Sequence, residues 1–192
     1  MKNVSYANRG QPFEDIIRIS NRMYAHRKLA MIEKLPTEFI PLRNGRGKVV
    51  DVKVENKSTV DFLGRYKQFP IAIEAKNTNT GSIRFDAVQP HQAAYMDAFT
   101  KQAGTIGLIL VSFRYKRFYA IPWAFWGAAY SLRVRQKDKT TSITFHAFGQ
   151  SWSIPQKFSV KEEELNPAWE VPGYDARYGL HYLKNADQYI TT

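Results

Sequence analysis

Two carboxylates and a lysine are spaced in this sequence so that one hairpin could bring them together. Asp61 stands near a turn, and Glu74 and Lys76 follow the apolar stretch 69–73. Alternate residues of a strand share a face, so Glu74 and Lys76 point the same way, and antiparallel pairing lets Asp61 approach Glu74. Two such oxygen ligands suit Mg²⁺, which keeps several waters. A bound ion would polarise a phosphate and activate a water, while Lys76 would stabilise developing negative charge.

A purely structural explanation of these residues stays open at this point. A Glu and a Lys two residues apart on an exposed strand are common and by themselves indicate no chemistry. Two features favour the metal site: the strand before Glu74 is apolar, and Asp61 precedes it by one hairpin. The alternatives are therefore a metal site that acts on phosphates and an ordinary surface ion pair.

The composition narrows the class of protein. The 192 residues include 28 Lys and Arg against 17 Asp and Glu, a net charge of +11. This balance is typical of proteins that bind a polyanion, and the interspersed aromatic residues favour nucleic acid over the alternative of a merely soluble basic protein. The absence of Cys excludes disulfides, thiolate metal sites and a thiol nucleophile. Without a long apolar run or an apolar signal core, we expect one cytoplasmic domain that does not enter a membrane.

Hydrophobic periodicity predicts an α/β fold, a mixed β-sheet flanked by helices. The first helix is expected from about 12 to 27, because Pro12 suits a first turn and apolar residues recur at helical spacing. Further helices are predicted at Pro90–Gln102, with Ala94, Met96, Ala98 and Phe99 inward, and at Trp123–Tyr130. The predicted strands are Leu29–Lys34, Phe39–Leu42, Lys48–Glu55, Thr59–Gly64, Phe69–Ala75, Ile106–Phe113, Arg117–Ile121 and Thr141–Phe148.

Two turns matter for function. The residues Asn44-Gly45-Arg46-Gly47 indicate a turn, and the alternation after it predicts a long hairpin over 39–57. Basic residues cluster near its tip, where phosphate contact is favoured over a merely solvated turn; they are Arg43, Arg46 and Lys48. A second turn, at Gly64-Arg65, is expected to join the strands that carry Asp61 and Glu74.

Several short motifs, in order along the chain, resemble a known family. Asp61 followed after twelve residues by Glu74-Ala75-Lys76 resembles the PD-(D/E)xK nuclease motif, with Val60 in place of the proline. The chain more specifically resembles the RecU family of Holliday-junction resolvases. The matching segments are Tyr6-Ala7-Asn8-Arg9-Gly10 with Glu14, Lys34-Leu35-Pro36-Thr37, Ser58–Gly64, Glu74–Thr78, His91-Gln92, and Gly173–Arg177, where Ala176 replaces a proline.

The resemblance implies a restriction-endonuclease-like fold, with the hairpin at about 39–57 as a projecting stalk that is shorter than in typical members. It implies Mg²⁺ as the cofactor, with Mn²⁺ as an alternative ion. The implied metal-site residues are Thr59, Asp61, Glu74 and Gln92. The implied catalytic residues are Asp61, Glu74, Lys76 and Glu14. On sequence grounds alone, Gln92 is better explained as a helix cap and Glu14 as a first-turn acid.

The resemblance also implies partners. Asn8 and Arg9, in a mobile N-terminal segment 1–10, would contact DNA together with the basic tip of the hairpin. A C2 homodimer would place two equivalent sites on a two-fold symmetric four-way junction, and related proteins work with a recombinase and a branch-migration motor. Three functions are left open: a Mg²⁺-dependent junction resolvase, a nuclease of the same fold for flaps, ends or duplex DNA, and a non-catalytic recombination accessory protein.

Overall fold

The computed structural model describes residues 11–36, 38–56, 59–135, 142–155 and 157–191. Short 3₁₀ turns occur at Phe85–Ala87, Glu162–Glu164, Pro167–Trp169 and Ala186–Tyr189. The helices and strands are α1 (Gln11–His26), β1 (Ala30–Lys34), β2 (Glu38–Arg43), β3 (Val49–Asn56), β4 (Phe62–Tyr66), β5 (Phe69–Thr78), β6 (Ser82–Arg84), α2 (Pro90–Thr100), β7 (Ile106–Phe113), β8 (Arg117–Pro122), α3 (Trp123–Arg135), β9 (Ser142–Ala147), β10 (Gln150–Pro155), β11 (Ser159–Lys161) and β12 (Glu170–Val171).

A six-stranded mixed sheet, in the order β1-β4-β5-β7-β8-β12, forms the centre of the fold. Strands β5 and β7 are parallel, because the chain crosses between them through α2, while the other neighbours are antiparallel. Every residue of β7 is buried, which is typical of an inner strand covered on both faces. The predicted mixed sheet flanked by helices is confirmed.

Helix α1 packs against β1 and β5 through an apolar stripe. Phe13, Ile17 and Tyr24 are at most 1% exposed and recur at helical spacing, so one side of α1 is buried against the sheet. The residues between them on the other side stay in solvent, among them Arg18 and Arg22. The first turn of α1 carries Glu14 toward the edge of the sheet formed by β1.

The expected turn at Gly64-Arg65 is wrong. Strand β4 continues to Tyr66, and the chain turns at Lys67, whose φ is +53°. Gly64 instead lies in mid-strand opposite Ile32, where a Cβ atom would come within 2.0 Å of the Met31 carbonyl oxygen. The glycine is needed for the close approach of β1, which local turn chemistry does not reveal.

Other element bounds and one helix face also differ from expectation. Strand β4 begins at Phe62 rather than at Thr59, and α3 extends beyond Tyr130 to Arg135. In α2, Ala94 and Ala98 face solvent, while Gln92, Ala93 and Met96 are the buried residues. Met96 is buried as predicted and Phe99 is partly buried, so periodicity was wrong only for the two alanines, whose short side chains carry little directional information.

The predicted hairpin is present as β2 and β3, which pair with each other and with no other strand of the described chain. Its turn is closed by the Asn44 side chain, whose Oδ1 accepts hydrogen bonds from the backbone N–H groups of Arg46 and Lys48 at 3.0 and 3.1 Å. Gly47 has a φ of +74° there, in the left-handed region that glycine tolerates. No helix among the described residues has the length and apolar character required to span a membrane.

Candidate active site

Asp61 and Glu74 meet because of the register between β4 and β5. Phe62 lies opposite Ile73, so the preceding residue, Asp61, comes beside Glu74. Asp61 Oδ2 accepts a hydrogen bond from the Ala75 N–H at 2.8 Å. The Asp61 carbonyl oxygen accepts another, at 2.8 Å, from the N–H of Leu35 after β1. Asp61 is thus held between two neighbouring strands, with its carboxylate directed toward β5.

Glu74 is a buried carboxylate with little compensation from the protein. Its side chain is 0% exposed, and neither oxygen has a hydrogen-bond partner of normal geometry among the described residues. The Lys76 ammonium approaches Oε1 at 2.5 Å as an ion pair. Burial, reinforced by the charge of Asp61, raises the pKa of Glu74 to about 8. A carboxylate held in this way has few polar partners, and a bound cation would supply another.

Asp61 shares this environment to a smaller degree. Burial raises the pKa of Asp61, while the hydrogen bond from Ala75 and the charge of Lys76 act in the opposite direction. The two carboxylates therefore form an acidic pair that is poorly hydrated, where an added cation would offset their mutual repulsion. Two hard oxygen donors of this kind fit a divalent ion such as Mg²⁺, with water and phosphate as its other ligands.

Lys76 and Gln92 connect the carboxylates to α2. The Lys76 Nζ donates a hydrogen bond to Gln92 Oε1 at 3.3 Å, and its side chain keeps 19% exposure. The same Gln92 oxygen accepts a hydrogen bond from the Gln89 N–H at 2.9 Å and closes a capping box at the start of α2. Gln92 therefore both caps a helix and contacts the lysine of the site.

Glu14 reaches the same region from α1. Its Oε2 lies 2.5 Å from Lys34 Nζ at the end of β1, and its charge contributes to the raised pKa of Asp61. Sequence analysis assigns no role to Lys34, although this residue lies within a segment that resembles the family. Its proximity to Glu14 depends on the packing of α1 against β1, which no local pattern in the sequence indicates.

The other predicted site residues lie apart from this cluster. Thr59 is exposed in the bend before β4. Among the described residues, no group of three or more His, Asp and Glu side chains has the arrangement of a metal site, so Asp61 and Glu74 would act as a pair. Arg46 and Lys48 are exposed at the hairpin turn. Asn8 and Arg9 lie outside the described residues, as does the side chain of Arg43.

The fold and this cluster define an α/β protein in which a buried carboxylate, a second, half-buried carboxylate and a lysine lie together at the inner strands of a mixed sheet. The model of the family described as Recombination protein U, RecU, matches residues 8–164. This match spans well over half of the chain, and the chain belongs to the RecU family.

Relatives of known name agree with this assignment. The chain is 32% identical over 127 residues to the Holliday junction resolvase RecU of Streptococcus mutans, covering 63% of this chain and 64% of that protein. It is 32% identical over 142 residues to the protein of the same name from Streptococcus sanguinis, covering 71% and 68%. The chain thus spans just under two thirds of the Streptococcus mutans relative. A solved structure of Archaeoglobus fulgidus Hjc, a Holliday junction resolvase, aligns over 78% of this chain and 85% of that one, with a TM-score of 0.36 and 8% identity.

Proposed function

We propose that this chain is a divalent-metal-dependent endodeoxyribonuclease that resolves Holliday junctions by symmetric cleavage of phosphodiester bonds. The observation that carries the proposal is the pair of adjoining carboxylates, the half-buried Asp61 and the buried Glu74, beside the ammonium of Lys76. Membership of the RecU family, in which the similar relatives are named Holliday junction resolvases, supports junction DNA as the substrate class.

Within the cluster, we propose that the carboxylates bind the cation and that the lysine acts on the phosphate. Asp61 and Glu74 hold the cation, for which we propose Mg²⁺, with Mn²⁺ as an alternative. When bound, the cation supplies Lewis-acid polarisation of the scissile phosphate and activation of a water. The Ala75 N–H keeps the Asp61 carboxylate in place through its 2.8 Å hydrogen bond. A fixed donor of this kind removes the need for the site to reorganise during the reaction.

Lys76 is placed to act on the phosphate itself. Its Nζ lies between Glu74 and Gln92 and its side chain is partly exposed, so its charge is available to a bound substrate. The ammonium would stabilise the negative charge that develops on the phosphoryl oxygens. Gln92 is a positioning residue, because its oxygen is anchored by the start of α2 and accepts a hydrogen bond from the lysine. Glu14, which forms an ion pair with Lys34, adds negative charge near Asp61.

We further propose that the enzyme acts as a C2 homodimer on four-way junction DNA. A junction of two-fold symmetry is cut symmetrically when two equivalent sites face opposing strands. The basic hairpin tip and the N-terminal segment would contact DNA backbone, in keeping with the net charge of +11. A recombinase and a branch-migration motor are proposed further partners, and the cytoplasm is the proposed location.

Cleavage of three DNA substrates in Mg²⁺ tests the proposal. We expect the wild type to nick a four-way junction in two opposing strands and to act at least tenfold more slowly on a fork and on a linear duplex. The variant Asp61→Asn should bind the junction with unchanged affinity but cut it at least 100-fold more slowly, because a neutral amide is a poor ligand for the cation. Parallel reactions with Mn²⁺ and with EDTA measure the metal requirement.

Asp187→Asn is a matched control, because Asp187 contacts Lys67 at the turn before β5, at the far end of the strands that carry the site. This variant should cut like the wild type. Equal cleavage rates on all three DNAs would contradict the junction resolvase and support a nuclease of the same fold that acts on flaps, ends or duplex DNA. Junction binding without any metal-dependent nicking would identify a non-catalytic accessory protein instead.

A further inference from the structure

A cleft of about 140 Å³ lies between α1 and the edge strand β1. Its α1 wall contains residues three and four positions apart, which occupy one side of the helix; these are Arg18, Asn21, Arg22 and Ala25. Its β1 wall consists of Ile32, Glu33 and Lys34. Of these residues Lys34 also contacts Glu14, while the cleft is otherwise lined by residues outside the cluster described above.

Asn21 is the buried polar residue of the cleft, beside the buried Ile32, and has an unused donor. The residue is 5% exposed, and its Oδ1 accepts a hydrogen bond from the Tyr182 hydroxyl. Its Nδ2 is buried and has no hydrogen-bond partner among the described residues. An unpaired buried amide N–H costs roughly 1–3 kcal/mol, so a donor in this position indicates an acceptor that the protein itself does not supply.

The charge around Asn21 identifies the kind of acceptor. The cleft has three cationic side chains and one acidic one, Glu33. Arg18 contacts Asp15 at 3.3 Å in an ion pair whose two side chains are more than half exposed, and such a pair is easily exchanged for a stronger partner. A guanidinium fork and an amide N–H together match the oxygens of a phosphate.

One end of the cleft adjoins the carboxylate pair at the same end of the sheet, because the N–H of Leu35, next to Lys34, donates to the Asp61 carbonyl oxygen at 2.8 Å. Lys34 shares a sheet face with Phe62 and Ile73, whereas the Glu74 side chain points to the other face. Lys34 also contacts Glu14, so this lysine borders both the cleft and the proposed catalytic cluster. A DNA strand whose phosphate lies at Asp61 and Glu74 would pass the Lys34 end of the cleft as it crosses this end of the sheet.

We propose that this cleft binds a second phosphate of the same DNA strand and so positions the scissile phosphate at the carboxylates. The proposal rests on the proposed action on DNA. The donors are the side chains of Arg18, Asn21, Arg22 and Lys34. Because phosphate contacts carry no sequence information, the cleft contributes to affinity and to placement of the strand rather than to base preference.

Salt-dependent binding in EDTA tests the cleft without requiring cleavage. The probes are a four-way junction and a linear duplex of the same arm sequence, and the variant is Arg18→Ala with Arg22→Ala, two exposed positions whose loss leaves the core intact. We expect about tenfold weaker binding of both DNAs and a slope of log affinity against log salt that is smaller by about 0.9, the value for one phosphate contact. A second variant, Asn21→Asp, replaces the donor by an oxygen and should weaken binding similarly if far-UV circular dichroism shows it folded.

The charge-matched control is Lys67→Ala with Lys101→Ala. Lys67 precedes β5, and Lys101 precedes the parallel strand β7, so both lie at the end of the sheet away from Glu74. This control should keep the wild-type slope. A double arginine variant with the wild-type slope, or a control that loses as much slope, would overturn the proposal. If the wild type binds but never cuts DNA while the slope change occurs, the proposed nuclease function fails and the phosphate cleft stands.

Discussion

Replacing Glu74 by Gln should stabilise the metal-free chain progressively as the pH rises from 4.5 to 8. The Glu74 carboxyl is 0% exposed and has a pKa of about 8 in the folded chain, against 4.5 for an ordinary Glu. A raised folded-state pKa means that the folded chain keeps a proton that the unfolded chain has already released. The associated stability is complete below pH 4.5 and is lost as the pH rises through 8. Gln does not titrate, so the variant avoids this loss.

The magnitude follows from the pKa difference. Each pH unit between the two pKa values costs about 1.4 kcal/mol of unfolding free energy. From pH 4.5 to pH 7 the wild type therefore loses about 3 kcal/mol relative to Glu74→Gln. The packing cost of the substituted amide is the same at every pH. The two proteins differ in unfolding free energy, and the buried charge is measured by how this difference varies with pH. Its value at a single pH does not isolate the charge.

Urea unfolding followed by tryptophan fluorescence, in EDTA and at half-unit pH steps, measures this difference. Glu163→Gln is the control, because the Glu163 side chain is 75% exposed and its replacement should give a difference that does not vary with pH. Excess Mg²⁺ should restore stability to the wild type by about 2.7 kcal/mol at 100 times its dissociation constant, and should leave the Gln variant with much less gain. A difference between wild type and Glu74→Gln that stays constant from pH 4.5 to 7 would refute the reasoning.

Three further outcomes are expected. Lys76→Ala should bind junction DNA normally and cut it at least 100-fold more slowly in single-turnover assays, because the charge that stabilises the transition state is removed; normal cutting would exclude this role. Gly64→Ala should lower the unfolding free energy in urea by about 3 kcal/mol, since its Cβ would meet the Met31 carbonyl oxygen at 2.0 Å, whereas an unchanged midpoint would show that β1 can move aside. Joint replacement by Ala at the hairpin tip should weaken junction binding and flatten its salt dependence, and an unchanged slope would show that these residues touch no phosphate; they are Arg43, Arg46 and Lys48.

The local arrangement of the candidate site residues could be predicted without a structure. Alternation places Glu74 and Lys76 on one face of a strand, and antiparallel pairing of neighbouring strands lets Asp61 approach Glu74, because such pairing is a local event. The register that sets Asp61 beside Glu74 comes from the turn at Lys67, which only the structure shows. The basic hairpin over 39–57 was predictable because it also pairs neighbouring strands. The exact turn was not, since Gly64 serves a contact between β1 and β4, two strands that are distant in sequence.

The site around Asp61 and Glu74 shows what the sequence determines and what only the tertiary structure determines. The amino-acid sequence by itself determined the carboxylates, the lysine, their spacing and the net positive charge of +11, which depend on residue identity and short-range periodicity. Only the tertiary structure decided that Glu74 is buried beside Lys76 with no hydrogen bond of normal geometry among the described residues, that Gln92 meets Lys76, and that Glu14 meets Lys34. These relations arise where α1 and α2 pack on the sheet, and burial depends on all the elements packed around a residue rather than on its neighbours in the chain.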